Sequence, residues 1–400
     1  MKRILALDGG GIRGVFTLQI LAKIEELFRK EQNKPDLVLA DVFDLIAGTS
    51  TGAIIAAFLS WKLPVREVEQ LYIDHSPEMF AASPWTQQFK SKYKSKAIEQ
   101  FFRERFTEKD GVTPALLGTE QLQKLLLIVM RNGSTGGNWP VSNNPKGIFN
   151  LRKSKDGKPN SECNLDFPLW QLLRASTAAP TFFPPETIML DNKPHLFMDG
   201  GMTPYNNPTL IAVLTATLPC YRIEWPAGRE SLHVLSVGTG LARARMPDKA
   251  ASDVNLLDHI RYIAPALIGS IAMEQDFLCR VMGDCVHGAP CDFEIGALEM
   301  PTLFNAQEQK FTYARYDQPL DPTHPKIKSF LDRQARSKQR WWKFFKSSHS
   351  SGEQMQLDDL KLIPLLQELG TEYADAHVRE EHLHPRTADF KPCPCSVTKR

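Results

Sequence analysis

Three short stretches of this 400-residue chain carry reactive residue types at spacings that would position them. In GTSTG at 48–52, Ser50 stands between Gly48 and Gly52, after an apolar run and before a helix of small apolar residues. Strand, tight turn and helix make the setting of a nucleophile elbow. The glycines permit the turn, and the serine hydroxyl is held out at a helix N-terminus, whose free N–H groups favour developing negative charge. An N-capping serine is the plainer alternative, and the flanking strand and helix weigh against it. Asp199 leaves a second apolar run just before Gly200 and Gly201. A carboxylate at a strand end can open into a cleft and serve as a base; a turn aspartate is the alternative. The third stretch, RILALDGGGIRG, sets Gly9, Gly10, Gly11 and Gly14 around Arg13 directly after a strand. Bare backbone N–H groups in such a loop suit the close approach of an anion.

Other chemistries share these residues. Gly9, Gly11 and Gly14 spell the G-x-G-x-x-G of a dinucleotide cradle, which also requires an acid about twenty residues on, at the end of the second strand. Here the second strand ends in GTSTG, and Glu25 and Glu26 fall inside a helix, so a dinucleotide-binding enzyme is the weaker reading. No Gly-Lys-Ser/Thr follows the loop, which excludes a Walker phosphate loop. The chain order Ser50, Asp199, His287 also satisfies a serine triad, although His195, His233, His259 and His287 sit in unrelated contexts. Cys279, Cys285, His287 and Cys291 lack the paired spacing of a structural zinc site, so no metal is expected. Seven cysteines at irregular spacing do not make a disulfide framework.

These side chains need a scaffold. An apolar run at 3–7 reads as a strand, and helical spacing runs from Val15 to Phe28 before stopping at 30–35. A second strand is expected at 42–47, then the Ser50 turn and a helix at 53–61. Further strands are expected at 125–130, 195–198 and 232–237, and a helix at 167–175. A short strand at 147–151 would interrupt the Gly-, Pro-, Ser- and Asn-rich loops of 132–164. Strand, glycine turn and helix, twice within 61 residues, predict an α/β fold with a mainly parallel central sheet flanked by helices. Hydrophobic content of 42% and charged content of 24% are those of a folded globular chain. The net charge of +2 gives no global reason to expect a nucleic acid polymer. The first residues are too short an apolar run for a secretory leader. No stretch approaches the roughly 18 uncharged apolar residues of a bilayer span, so a cytoplasmic location is expected.

DGGGIRG, GTSTG and DGG, in this order and at these spacings, together resemble the patatin-like phospholipases, and ASTAAPTFFPP ahead of DGG adds to the likeness. The resemblance covers about residues 2–214 and extends more loosely, toward bacterial members, to about 320. It implies a three-layer patatin-like fold, an acyl hydrolase domain over 1–330, and a Ser–Asp dyad in place of a triad. Ser50 would attack an ester carbonyl and Asp199 would take its proton. The loop of Gly9, Gly10, Gly11, Arg13 and Gly14 would hold the oxyanion, with no metal or cofactor required. The substrate implied is a phospholipid or other acyl lipid, cleaved through an acyl-Ser50 intermediate. A carboxylate with an ordinary pKa near 4 is a weak base for a serine, so desolvation must raise it. Arg13 adds a cation beside the loop, either for a lipid phosphate or for a salt bridge. A lipid-binding module without turnover shares the fold, and the three intact motifs weigh against it. Some bacterial enzymes of this kind are effectors switched on by cyclic nucleotides in antiphage defence. A cyclic-nucleotide activator is thus an allowed partner, although no residue here points to one.

Residues 331–400 differ in character. Around RQARSKQRWWKFFKSSHSS, the run Arg340, Trp341, Trp342, Lys343, Phe344, Phe345 interleaves bases with aromatics. Bases attract anionic headgroups and aromatics insert at the interface, so this run is a membrane-contact candidate and the protein is expected to be peripheral at the membrane when active. The alternative is a helix whose aromatics pack on the core. An amphipathic helix is expected at 357–369. A polar, loosely ordered end is expected from His377, with Cys393 and Cys395 in the tail. Nothing in the sequence sets an oligomeric state.

Overall fold

In the computed structural model, the two strand–turn–helix units at the N-terminus lie side by side and build the centre of the sheet. The structure describes the chain apart from residues 81–87, 154–156, 158–159, 161–162, 181–182, 241–243, 245, 247–250, 292–293, 299–304, 306, 322, 343–358 and 385–400. Strand β1 (Lys2–Leu7) leads through the glycine loop into helix α1 (Gly14–Glu31). The second unit is β2 (Leu45–Thr49), Ser50 and α3 (Thr51–Ser60), preceded by the single turn α2 (Leu39–Val42). The strand expected at 42–47 therefore starts later. Asp41 reaches back to accept the Val38 N–H at 3.2 Å and makes 39–42 helical instead.

Helices α4 (Val65–Asp74), α5 (Ser76–Phe80) and α6 (Gln88–Arg105) precede β3 (Leu125–Asn132). Strand β4 (Asn138–Ser142) pairs antiparallel with β3 and contains Pro140, a residue that suits an outer strand. The strand expected at 147–151 is instead a 3-10 turn, Ile148–Asn150. Its Asn150 Nδ2 donates to the carbonyls of Ser142 at 2.7 Å and Asn144 at 2.6 Å, which curls the segment. The rest of the chain gives α7 (Leu169–Ser176), β5 (Glu186–Leu190), β6 (Lys193–Asp199), α8 (Thr209–Thr217) and β7 (Leu232–Val237). It continues with α9 (Leu256–Met282), β8 (Asp284–His287), β9 (Thr312–Tyr316), α10 (Pro325–Trp342) and α11 (Ile363–His377).

The sheet is mostly parallel: β3, β2, β1, β7, β9 and β8 run side by side in that order. The β5–β6 hairpin joins β3 antiparallel beyond the point where β2 stops. Side chains alternate between two apolar layers, as strand geometry requires. Leu5, Leu7, Ile46, Ile128, Leu235 and Val237 face one layer with the buried side of α1 and α3. Ile4, Leu45, Ala47, Leu127, Val129 and Val234 face the other, with Ile211, Ala212 and Val213 of α8. This is a mixed α/β architecture with helices on both faces of the sheet.

The C-terminal segment closes on the first helix. Tyr373 of α11 sits 5.6 Å ring to ring from Phe16 of α1, and Asp375 pairs with Lys23 at 3.2 Å. The amphipathic helix expected at 357–369 therefore starts later and runs longer. Of the end expected to be loose from His377, the described residues include a 3-10 turn, Glu380–Leu383, with Val378 and Leu383 buried. Cys393 and Cys395 lie outside the described residues. Among the described residues, no helix is long and apolar enough to cross a membrane.

Candidate active site

Ser50 is held between β2 and α3 at φ 53° and ψ −122°, a conformation that a non-glycine residue adopts only when its surroundings impose it. Gly48 and Gly52 impose it by close approach. A Cβ at Gly48 would overlap the Gly52 carbonyl, and one at Gly52 would overlap the Leu7 carbonyl of β1. The Ser50 N–H donates to Ser176 Oγ at 2.9 Å, and that hydroxyl donates to the Val129 carbonyl at 2.6 Å. The turn is thereby tied to α7 and β3.

Asp199 reaches Ser50 because β2 and β6 share one edge of β3. Thr49 is the last residue of β2 and lies opposite Val129, while Asp199 is the last of β6 and lies opposite Met130. The two strands meet end to end. Ser50 Oγ donates to Asp199 Oδ2 at 2.7 Å, and the Gly201 N–H donates to Asp199 Oδ1 at 2.7 Å. Gly200 and Gly201 form the 3-10 turn that brings this N–H round. Burial pushes the Asp199 carboxyl up to about 6, against the hydrogen bonds from Ser50 and Gly201 and the more distant charge of Arg174.

The glycine loop lies directly over Ser50; a Cβ on Gly9 would stand 3.3 Å from the serine Cβ. Its carbonyls are tied down. The Gly9 carbonyl accepts Thr239 Oγ1 at 3.2 Å and Asn206 Nδ2 at 3.4 Å. The Gly11 carbonyl accepts Tyr72 Oη at 2.6 Å and Thr51 Oγ1 at 2.9 Å. Gly11 takes φ 58°, the left-handed turn that glycine adopts without cost. The Gly9 N–H donates to the Asn206 carbonyl at 3.1 Å, so Gly9 is an anchor and not the free donor expected from the motif. The N–H groups of Gly10, Gly11 and Ile12 have no acceptor among the described residues. Gly14 opens α1 against Thr51 and Tyr72.

Arg13 is only 6% exposed, and among the described residues its guanidinium makes no ion pair within 4.0 Å. Neither a salt bridge nor an open lipid-phosphate site describes it. Burial pushes Arg13 down to about 10, while Asp317 and Asp8 support its charge from a distance.

Two alternatives fail on geometry. His287 ends β8, four strands from β2 and thus about 19 Å away at about 4.8 Å per strand. It stacks on His382 at 4.4 Å and lies 4.8 Å from Tyr316. A triad through His287 is therefore excluded, and the group that Ser50 Oγ meets is Asp199. The dinucleotide reading loses its acid: Glu25 is buried on α1, accepting the Val65 N–H at 3.2 Å and pairing with Arg29 at 2.7 Å. Of the membrane-contact candidates, Arg340, Trp341 and Trp342 fall in the last turn of α10. Lys343, Phe344 and Phe345 lie outside the described residues.

Ser176, Asn206, Thr239 and Tyr72 support the site and were not singled out from sequence. Ser176 sits inside ASTAAP, whose only signal is the family likeness; the others carry no local signal. Together the side chains offer a serine hydroxyl already bonded to a carboxylate of raised basicity, beside uncommitted backbone donors. That combination suits attack on a carbonyl and retention of the resulting oxyanion.

The family model for patatin-like phospholipase matches residues 5–213. Patatin-16 of Solanum tuberosum is 30% identical over 260 residues, covering 60% of this chain and 61% of that protein. Patatin-17 of Solanum cardiophyllum is 30% identical over 257 residues, with the same coverage. The chain thus spans 61% of the length of these relatives. Among solved structures, VipD from Legionella pneumophila aligns with a TM-score of 0.35 at 12% identity, covering 94% of this chain and 67% of that one. With its family match spanning the glycine loop, Ser50 and Asp199, the chain belongs to the patatin-like phospholipase family.

Proposed function

We propose that this protein is a lipid acyl hydrolase of the phospholipase A or lysophospholipase type, working through a Ser50–Asp199 dyad. The observation that carries the proposal is the 2.7 Å hydrogen bond from Ser50 Oγ to Asp199 Oδ2, at a serine in a strained backbone conformation. Asp199 accepts the Ser50 proton as Oγ bonds to the ester carbonyl carbon. The carbonyl oxygen becomes an oxyanion and is met by the N–H groups of Gly10 and Gly11. Asp199 then returns the proton to the leaving alcohol as the ester C–O bond breaks, leaving acyl-Ser50. Water repeats the sequence and releases a fatty acid. Part of the rate comes from the loop, since preorganised donors act on charge that develops only in the transition state; removal of one such donor costs about 100- to 1000-fold in other enzymes.

The substrate sits in a membrane, and the run from Arg340 to Phe345, basic and aromatic in sequence, is the segment proposed to dock there. Mass spectrometry of the products from mixed phospholipid vesicles, with wild type and Ser50→Ala side by side, tests the function. Free fatty acid and lysolipid are expected from wild type alone. Equal release from both would overturn the assignment.

A further inference from the structure

The carboxylate that precedes the glycine loop is gripped from far outside the family-matched region. Asp8 joins β1 to Gly9. Its two oxygens accept Arg315 of β9, Oδ1 from Nη1 at 2.9 Å and Oδ2 from Nη2 at 2.6 Å. Asp8 is 2% exposed and Arg315 4%. The register explains the reach. Ala6, Ser236 and Arg315 lie opposite one another on β1, β7 and β9, so the arginine crosses β7 on the face that Asp8 also shares. On the way Nη1 donates to Ser236 Oγ at 2.7 Å, and Thr209 Oγ1 of α8 donates to that same hydroxyl at 2.8 Å. Nη2 also donates to Asp317 Oδ2 at 2.8 Å, and Asp317 Oδ1 accepts the Gly240 N–H at 2.9 Å. Gly240 follows Thr239, whose hydroxyl holds the Gly9 carbonyl. Arg315 thus fixes the loop by two routes, through Asp8 directly and through Asp317 and the 238–240 turn.

A buried ion pair of this kind is weak evidence for stability, because taking both charges out of water offsets most of their attraction. What a planar guanidinium chelating a carboxylate does supply is direction: two parallel bonds define a plane, which a point charge cannot do. The direction matters here, because the uncommitted N–H groups of Gly10 and Gly11 lie only two and three residues past Asp8, and a glycine loop has no side chains of its own to hold them. We propose that Arg315 is a positioning residue for the oxyanion loop, aligning the Gly10 and Gly11 N–H groups through its bidentate hold on Asp8. The proposal rests on the reading of Ser50 as nucleophile.

The test compares wild type with Arg315→Lys and Asp8→Asn, on a soluble short-chain ester that bypasses membrane docking. Lysine keeps charge and reach but loses the fork; asparagine keeps shape but loses the second charged acceptor. Arg315→Lys, which keeps the buried charges paired, is expected to melt near wild type, while Asp8→Asn, which leaves Arg315 with Asp317 alone, is expected to melt lower; the folded fraction of each is expected to keep KM within about twofold. Their kcat is expected to fall about 10- to 100-fold, up to the lower bound for losing one oxyanion donor outright. Affinity for a trifluoromethyl ketone, which forms a tetrahedral oxyanion on the serine, is expected to fall by the same factor as kcat/KM, a change that partial unfolding does not produce. Amide exchange at Gly9, whose N–H donates to the Asn206 carbonyl, is expected to speed up in both variants. Wild-type kcat with unchanged exchange in folded Arg315→Lys overturns the proposal, as does a loss accounted for by the unfolded fraction alone. If Ser50→Ala hydrolyses the ester as fast as wild type, the nucleophile assignment fails instead, and exchange at Gly9 still decides whether Arg315 holds the loop.

Discussion

Asp199 is pulled in two directions: burial favours its neutral form, while hydrogen bonds from Ser50 and Gly201 favour its charge. Burial wins, and a carboxyl at about 6 is a stronger base than one at its ordinary 3.8. Only the ionised form accepts a proton, so kcat/KM for a soluble ester is expected to reach half its plateau near pH 6 and to fall about tenfold per pH unit below that. A profile flat from pH 4 to 7 would contradict this role. The same shift has a stability consequence. A carboxyl raised from 3.8 to about 6 contributes stability below pH 3.8, lost as pH rises through 6, so the ionised group costs the fold on the order of 3 kcal/mol at neutral pH. Asp199→Asn is therefore expected to be inactive yet to melt higher than wild type at pH 7, read by calorimetry; a lower melting temperature would count against it. Ser50, Asp199 and the loop glycines were legible in the sequence because tight turns and close backbone approach restrict the residue types allowed. Asn206, Thr239 and Arg315 were not, because each is an ordinary type whose role exists only through contacts about 200 to 300 residues away in sequence, such as Asn206 to Gly9 and Arg315 to Asp8.

The elements that place these residues were legible to different degrees. β1, β3 and β7 are continuous apolar runs buried on both faces, and they lie within two residues of where the pattern put them. β4 was missed because an outer strand carrying Pro140 and Asn138 has neither the apolar run nor the alternation. Asn150 produced the opposite error: IFNL reads as extended until its amide turns back on Ser142 and Asn144. Gly370 of α11 gives a test by sign. In an isolated helix, Gly→Ala stabilises by about 1 kcal/mol. Here the added Cβ would stand 2.9 Å from Gln19 Cβ and 3.1 Å from the Phe16 carbonyl of α1. Gly370→Ala is therefore expected to lower stability by about 1–3 kcal/mol in chemical denaturation, the cost typical of overpacking. A gain would mean that α11 does not dock on α1 as closely as described.

Across the whole molecule, charge is buried on both sides of neutrality, and the acid response follows from the balance. His233 and His287 are pushed down to about 3, chiefly by burial, with His382 and His377 adding to it for His287. A histidine held neutral in the fold contributes stability that is complete above its unfolded value of 6.5 and is lost as pH falls below that. Asp8 and Asp199, both raised to about 6, act in the opposite sense between 3.8 and 6. The two effects offset between about pH 4 and 6. Replacing one histidine unbalances them: His287→Phe keeps a ring against His382 but cannot bind a proton. Its melting temperature is expected to fall less than that of wild type between pH 7 and pH 5. An identical decline in both proteins would show that His287 does not carry acid sensitivity. No local pattern marks this cluster, since His233, His287, His377 and His382 come together only when α11 and the turn after it close on β7, β8 and β9.

The dyad itself is tested most directly by fatty-acid release from mixed phospholipid vesicles, measured for wild type, Ser50→Ala and Asp199→Ala under the same conditions. Both variants are expected to fall by at least about 1000-fold, the scale of losing a nucleophile or its base in other serine hydrolases. Release at the wild-type rate from either folded variant would contradict the account.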